Sequence, residues 1–118
     1  MSQSLQGFKA ELFKALGHPM RIRILELLRD GERSVGELQA ELSAEGSTVS
    51  QQLAVLRMKS LVDTRKEGTL IYYRLRDPQV TELLNVARLI FEAHVVQLRT
   101  MAEQSELKDP SPRVAEAR

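Results

Sequence analysis

A short polar segment in the middle of the chain carries the side chains best suited to hydrogen bonding with another molecule. Its members are uncharged and lie within six consecutive positions: Ser47, Thr48, Ser50, Gln51 and Gln52. Val49, Leu53 and Leu56 follow helical spacing through the same segment, which predicts a helix over about residues 47–60 with its polar side turned outward. Hydroxyl and amide groups hydrogen-bond base edges and phosphates in nucleic acids. The alternative is that the serine and threonine side chains only cap the helix.

Positive charge is concentrated immediately after this segment. The stretch from Arg57 to Arg76 contains six basic and two acidic residues, a net charge of +4, whereas the whole chain has a net charge of only +1. Such concentration is typical of a nucleic-acid-binding surface, although a solvated charged face is the alternative. Arg57 itself has a second interpretation, as an ion-pair partner within the domain.

The apolar pattern changes from helical to alternating inside the basic stretch, which predicts a β-hairpin. The first strand starts at Leu61 and Val62, residues 66–69 form a tight turn, and residues 70–75 form the second strand. In that second strand Ile71, Tyr73 and Leu75 are expected to face the core. Glycine at the turn permits both a positive φ and a close backbone approach to a ligand. The tip would reach phosphate or a minor groove through four residues: Arg65, Lys66, Gly68 and Thr69.

Three helices are predicted to precede the polar segment and to position it. Apolar spacing places them at about residues 4–16, 19–30 and 34–43. Ser34 followed three residues later by Glu37 is a capping-box pattern at the start of the third helix. A short turn then separates the third helix from the fourth, as in a helix-turn-helix pair.

The last helix is the longest, predicted over about residues 78–107, with Asp77 as its cap. Its apolar side chains cover so much of its circumference that it must be packed on more than one side. We therefore expect a homodimer in which the first and last helices meet a second copy. The candidate interface residues are Leu5, Phe8, Leu12, Leu83, Val86, Ile90, Phe91, His94 and Leu98.

The segments LGHPMRIRILELL, SVGELQAEL, STVSQQLAVLR and RKEGTLIYYRL, in this order and spacing, resemble the ArsR family of bacterial winged-helix regulators. The resemblance covers about residues 8–100. It implies a mainly α fold with a small β-hairpin, a winged helix-turn-helix of order α-α-α-α-β-β-α that dimerises through its first and last helices. It also places the DNA-reading helix on residues 47–52 and the wing on residues 65–69.

The function implied by this resemblance is transcriptional regulation in the cytoplasm. The expected activity is repression, by a homodimer bound to an inverted-repeat operator in double-stranded DNA. A winged-helix module that binds only protein is the alternative, and such a module would be expected to carry apolar or acidic groups on the polar helix side.

The chain departs from the family at the positions of its metal sensors. Arsenic-sensing relatives have Cys-Val-Cys where this chain has Ser34, Val35 and Gly36, and the chain contains no cysteine. Relatives that bind zinc across their last helices use several ligands, whereas the last helix here has only His94. We expect no metal and no cofactor. Three alternatives stay open for the signal: a small organic ligand at the dimer interface, a partner protein, or no ligand at all. A pH response of His94 at the dimer interface is a further hypothesis.

An enzyme is not expected, because the chain has no cysteine, only two histidines and no glycine-rich phosphate loop. No apolar run approaches the roughly 20 residues that a membrane span requires. Residues 1–107 are predicted to form one DNA-binding and dimerisation domain. Residues 108–118, with two prolines and mixed charge, are expected to be a disordered tail.

Overall fold

The computed structural model describes residues 4–108 and confirms the predicted order of elements. The helices are α1 (Leu5–Leu16), α2 (Pro19–Leu28), α3 (Val35–Leu42), α4 (Gly46–Met58) and α5 (Gln79–Lys108). The strands are β1 (Arg33–Ser34), β2 (Val62–Glu67) and β3 (Leu70–Leu75). The chain forms two compact units, whose boundary falls between Leu84 and Asn85. The single domain predicted over residues 1–107 stays a prediction.

Side-chain caps stabilise the starts of α2 and α3. His18 Nδ1 accepts a hydrogen bond from the backbone N–H of Met20 at 3.2 Å, ahead of Pro19. At the start of α3 the capping box is complete, because Ser34 Oγ accepts from the Glu37 N–H and the Glu37 carboxylate accepts from the Ser34 N–H. These bonds satisfy donors that the first turn of a helix leaves unpaired.

The core of the first unit is aliphatic and draws on every helix of that unit. Its fully buried members are Ile24, Leu25, Leu38, Val49, Leu53 and Leu56, each with no exposed surface. The three from α4 are those of the predicted apolar stripe. Their burial fixes the rotation of α4 about its axis, so that the opposite, polar side is turned away from the core.

The three strands form an antiparallel sheet in the order β1-β3-β2. Pairing of Val62 with Leu75 through Glu67 with Leu70 leaves a two-residue turn, in which Gly68 has a φ of +64°. Tyr73 and Leu75 pack against the core as predicted. The prediction for Ile71 was wrong, since its side chain is 41% exposed. Lys66, which pairs with Ile71, and the adjacent Leu70 are exposed as well, so Ile71 has no core to meet at this end of the hairpin.

The second unit presents apolar side chains that nothing in that unit covers. Seven of them are each more than half exposed: Val86, Leu89, Ile90, Phe91, Val96, Leu98 and Met101. A single helix cannot bury such residues by itself. None of the helices described over residues 4–108 is both long and apolar enough to cross a membrane. Of the predicted tail, Lys108 is the last helical residue and residues 109–118 lie outside the described part of the chain.

Candidate nucleic-acid interface

The polar side of α4 lies open, as the sequence predicted. Ser47, Ser50 and Gln51 are exposed, while Thr48 and Gln52 are half-buried. The N-cap of α4 is the residue before Gly46 rather than a serine or threonine, and it makes no side-chain capping hydrogen bond. The alternative interpretation of Ser47 and Thr48 as caps is therefore not supported, and their hydroxyls stay available for other partners.

The first turn of α4 offers backbone donors to an anion, although the exposed Glu45 at its N-cap brings a negative charge to the same end. A helix N-terminus carries partial positive charge and unpaired backbone N–H groups. No acidic residue occupies the first turn of α4, and Glu45 at its N-cap leaves the backbone donors unsatisfied by its side chain. A phosphate placed at this end of the helix would accept hydrogen bonds from those groups.

Gln52 is held in place by an arginine that the sequence analysis did not single out. Arg21, on α2, donates from Nε to Gln52 Oε1 at 2.9 Å, and its Nη1 donates to the carbonyl of Ala15 at 3.0 Å. The arginine is half-buried. The two residues lie 31 positions apart in different helices, so no local pattern in the sequence could have paired them.

The wing is tied to the body of the first unit through Arg65. Its guanidinium donates to the carboxylate of Glu32, which lies just before β1, and to that of Glu67 on β2. The same guanidinium carbon lies 4.8 Å from the centre of the Tyr72 ring, within reach of a cation–π interaction. The hydrogen bond from Arg65 is the main reason that the pKa of the Glu32 carboxyl lies below its usual range.

The other wing residues predicted to contact DNA are exposed. Lys66, Gly68 and Thr69 are exposed at the tip, and among residues 4–108 no acidic group lies within ion-pair distance of Lys66. A Cβ placed on Gly68 would meet no atom within 4 Å, so the backbone there is open to close approach.

Arg57 lies between the polar side of α4 and the hairpin. Its side chain is exposed and, within the described part of the chain, forms no ion pair, so the alternative of a structural salt bridge is not supported. Together with Ser50 and Tyr73 it borders a shallow depression of about 430 Å³. The structure thus places an exposed cation between the two elements predicted to meet DNA.

Comparison with known proteins decides the family. The model of the bacterial regulatory proteins of the arsR family matches residues 18–64. The HTH-type transcriptional regulator Rv0081 of Mycobacterium tuberculosis is 49% identical over 90 residues, which are 75% of this chain and 79% of the relative. A biofilm growth-associated repressor of Agrobacterium fabrum is 45% identical over 82 residues, 70% of each chain.

This chain belongs to the arsR family.

Solved structures agree with that assignment. The crystal structure of Rv0081 superposes with a TM-score of 0.70 at 47% identity, covering 84% of this chain and 99% of the other. The homodimeric winged helix-turn-helix DNA-binding domain of Mb0332 from Mycobacterium bovis superposes with a TM-score of 0.68 at 32% identity, covering 80% and 92%. The present arsR-family chain is therefore a winged helix-turn-helix, DNA-binding transcriptional regulator, in which α3 and α4 form the helix-turn-helix and β2 and β3 form the wing.

The predicted dimer residues of this arsR-family protein are found in both units. In the first unit, Leu5 and Phe8 are more than half exposed, whereas Leu12 and Leu83 pack partly on the core. A cavity of about 1000 Å³ in that unit is lined by Phe8, Leu12 and Leu83, with the Glu11–Lys59 ion pair at its edge. In the second unit the candidates are all exposed: Val86, Ile90, Phe91, His94 and Leu98.

No cluster of three or more potential metal ligands occurs among the described residues. Positions 34 and 36, where thiol-based sensors have cysteine, carry serine and glycine, and Ser34 is already used in the capping box of α3. His94 lies exposed on α5.

Proposed function

We propose that this protein is a homodimeric repressor that binds an inverted-repeat operator in double-stranded DNA. The observation that carries the proposal is the bare polar side of α4. Full burial of Val49, Leu53 and Leu56 turns the hydroxyl and amide groups of that helix outward. Beside it lies a wing whose Lys66 has no ion-pair partner within residues 4–108. This combination suits the entry of one helix into a major groove.

The polar residues divide into two roles. Ser50, Gln51 and Gln52 lie along the outward side of α4 and read base edges, while Ser47 and Thr48 lie in its first turn, where helices commonly hold phosphate. Backbone and side-chain groups outside the major groove hold the flanking phosphates, namely Arg57, Lys66, Gly68 and Thr69. Arg65 already donates to two carboxylates, which compete with a phosphate for its guanidinium.

A second copy of the chain covers the exposed apolar side chains. Ile90 and Phe91 are 67% and 64% exposed, and such a continuous apolar surface is typical of an obligate interface. The homodimeric state of the Mycobacterium bovis relative supports the same assembly. A twofold dimer would present two copies of α4 to successive major grooves, roughly 34 Å apart, and so would require an inverted repeat.

Repression is supported by the relative in Agrobacterium fabrum, which is named a repressor. A dimer bound across an operator blocks other proteins from the same DNA. Because the chain has no thiol, we assign release of the DNA to a small ligand or a partner protein rather than to cysteine chemistry.

The test uses the full chain in two measurements. Sedimentation equilibrium should give twice the mass of the chain, and selection of bound fragments from random duplexes should enrich an inverted repeat. A monomer, or a dimer that enriches no sequence, would contradict the proposal and would favour a winged helix that binds protein instead.

A further inference from the structure

The hydrogen bond between Arg21 and Gln52 constrains how Gln52 can meet a base. A guanidinium has five N–H donors and no acceptor, so only the oxygen of the Gln52 amide can face it. That oxygen lies 2.9 Å from Arg21 Nε. The amide cannot turn over without losing this bond, so its oxygen stays on the side of Arg21 and its NH₂, a pair of donors, is the group turned away from the arginine.

Gln51 provides the contrast within the same helix. It is exposed, and in the described part of the chain its side chain has no hydrogen-bond partner. Its amide can therefore turn either way, offering the oxygen and the nitrogen together. Two glutamines that are neighbours in sequence thus differ in what they can recognise.

The four bases differ in what they present in the major groove. Guanine offers two acceptors, N7 and O6, whereas cytosine offers only the N4 amino donor. Adenine offers one acceptor and one donor, and a glutamine reads it fully only by using its oxygen as well as its nitrogen. Thymine offers one acceptor, O4. A glutamine that presents its NH₂ to the groove therefore fits guanine best and cytosine worst.

We propose that Arg21 is a positioning residue that fixes Gln52 as a hydrogen-bond donor, so that the base facing Gln52 is read as guanine. This rests on the proposed function, since it requires α4 to lie in the major groove. Arg21 also donates to the carbonyl of Ala15 at the end of α1. A purely structural arginine would use both bonds only to hold the helices together, and its loss would weaken binding to every sequence alike.

The first experiment compares the wild type with Arg21→Met on the selected site and on its single-base variants. In the wild type, guanine facing Gln52 should bind about tenfold more tightly than cytosine, the scale of one good base contact. In Arg21→Met the amide is free to turn, and this ratio should fall below about threefold. Preferences at the other positions should stay, and Arg21→Lys, which keeps a donor, should retain most of the guanine preference. An equal loss on all sequences would overturn the proposal.

The second experiment does not depend on Arg21→Met folding normally. Gln52→Glu keeps an acceptor for Arg21 but removes both donors, and carboxylates accept from cytosine N4. The preferred base at that position should therefore change from guanine to cytosine. Gln51→Glu is the matched control and should alter a different position. No change of preferred base in Gln52→Glu would overturn the proposal.

The outcomes separate the inference from the function on which it rests. If the wild-type dimer enriches no sequence, the proposed function fails before any variant is compared. If the wild type enriches an inverted repeat and the variants leave its base preferences unchanged, only the role of Arg21 fails.

Discussion

Arg65 Nε lies 3.1 Å from Glu32 Oε1, so a cation of the wing is held by a carboxylate 33 residues earlier in the chain. The Nη1 atom of the same guanidinium lies 3.2 Å from the Glu67 carboxylate. The bond to Glu32 holds the hairpin against the rest of the first unit, and both carboxylates compete with any phosphate for the donors of Arg65.

Removing the Glu32 carboxylate should strengthen binding to DNA of every sequence. In Glu32→Gln the guanidinium of Arg65 loses its charged partner outside the hairpin and becomes available to a phosphate. The slope of log affinity against log salt should become steeper by up to about 0.9, the contribution of one further phosphate contact. Fluorescence anisotropy on one random duplex, over a range of salt concentrations, measures both quantities.

Asp30→Asn is the matched control for this prediction. Asp30 lies two residues before Glu32 and carries the same charge, but its ion-pair partner is Arg29 at 3.6 Å rather than a residue of the wing. It should shift the affinity only slightly. Equal effects of the two substitutions would mean that net charge, and not release of Arg65, governs the binding.

Lys66 should act on all DNA sequences alike. Its ammonium is exposed at the wing, and Lys66→Gln removes one phosphate contact. Affinity should fall similarly on the selected site and on random DNA, and the salt slope should become shallower by about 0.9. Lys9→Gln, which changes an exposed lysine of α1, is the control. A loss confined to the selected site would make Lys66 a base-reading residue instead.

Gln51→Ala should lower the preference for the selected site, whereas Lys66→Gln should lower affinity for all DNA. Loss of a base contact costs about 1–3 kcal/mol of discrimination, so the preference for the selected site over random DNA should fall while the salt slope stays constant. Competition between the two duplexes measures the ratio directly. Gln6→Ala, at an exposed position of α1, should change nothing. An unaltered ratio in Gln51→Ala would remove this residue from the reading surface.

Elements in which an apolar pattern repeats over several turns were predictable from the sequence, and elements of only two residues were not. The stripe of Val49, Leu53 and Leu56 gave both the existence of α4 and its orientation, because burial of one side dictates exposure of the other. The strand at residues 33–34 was missed, since two residues cannot show an alternating pattern. It forms only because β3 lies alongside it, with Arg33 opposite Tyr73.

The C-terminal end of α4 shows that the sequence also fails to predict features that depend on a single residue. The sequence predicted the helix over about residues 47–60, but it ends at Met58. Ser60 adopts a left-handed φ of 62°, and the N–H of Leu61 donates to the carbonyl of Leu56 at 2.9 Å. This is the hydrogen bond of a Schellman cap, in which glycine is usual, and a serine there gives no signal in the sequence.

In the site, exposure was predictable and pairing was not. Periodicity placed Gln52, Arg57 and Lys66 on the surface, but it contained nothing about the bonds from Arg21 to Gln52 or from Arg65 to Glu32. Both bonds join residues more than 30 positions apart. They depend on how the helices and the hairpin pack, and packing of this kind appears only in three dimensions.

Ile90→Glu should produce a folded monomer. The side chain is 67% exposed, so the substitution leaves the core of the first unit intact, but a charge in an apolar interface without a partner strongly opposes association. Sedimentation should show halved mass with unchanged helical circular dichroism, and affinity for the inverted repeat should fall sharply. Gln97→Glu, at an exposed polar position of α5, should remain dimeric. A stable dimer of Ile90→Glu would place the interface elsewhere.

The position of α4 on DNA can be measured directly because the chain contains no cysteine. A single cysteine introduced as Glu45→Cys, at the exposed N-cap of α4, can carry an iron chelate that cleaves nearby DNA. Two cleavage sites are expected on the selected duplex, related by the twofold axis of the inverted repeat, and none from the same chelate on Gln97→Cys. Tight binding of the Glu45→Cys conjugate without localised cleavage would contradict the placement of α4 in the major groove.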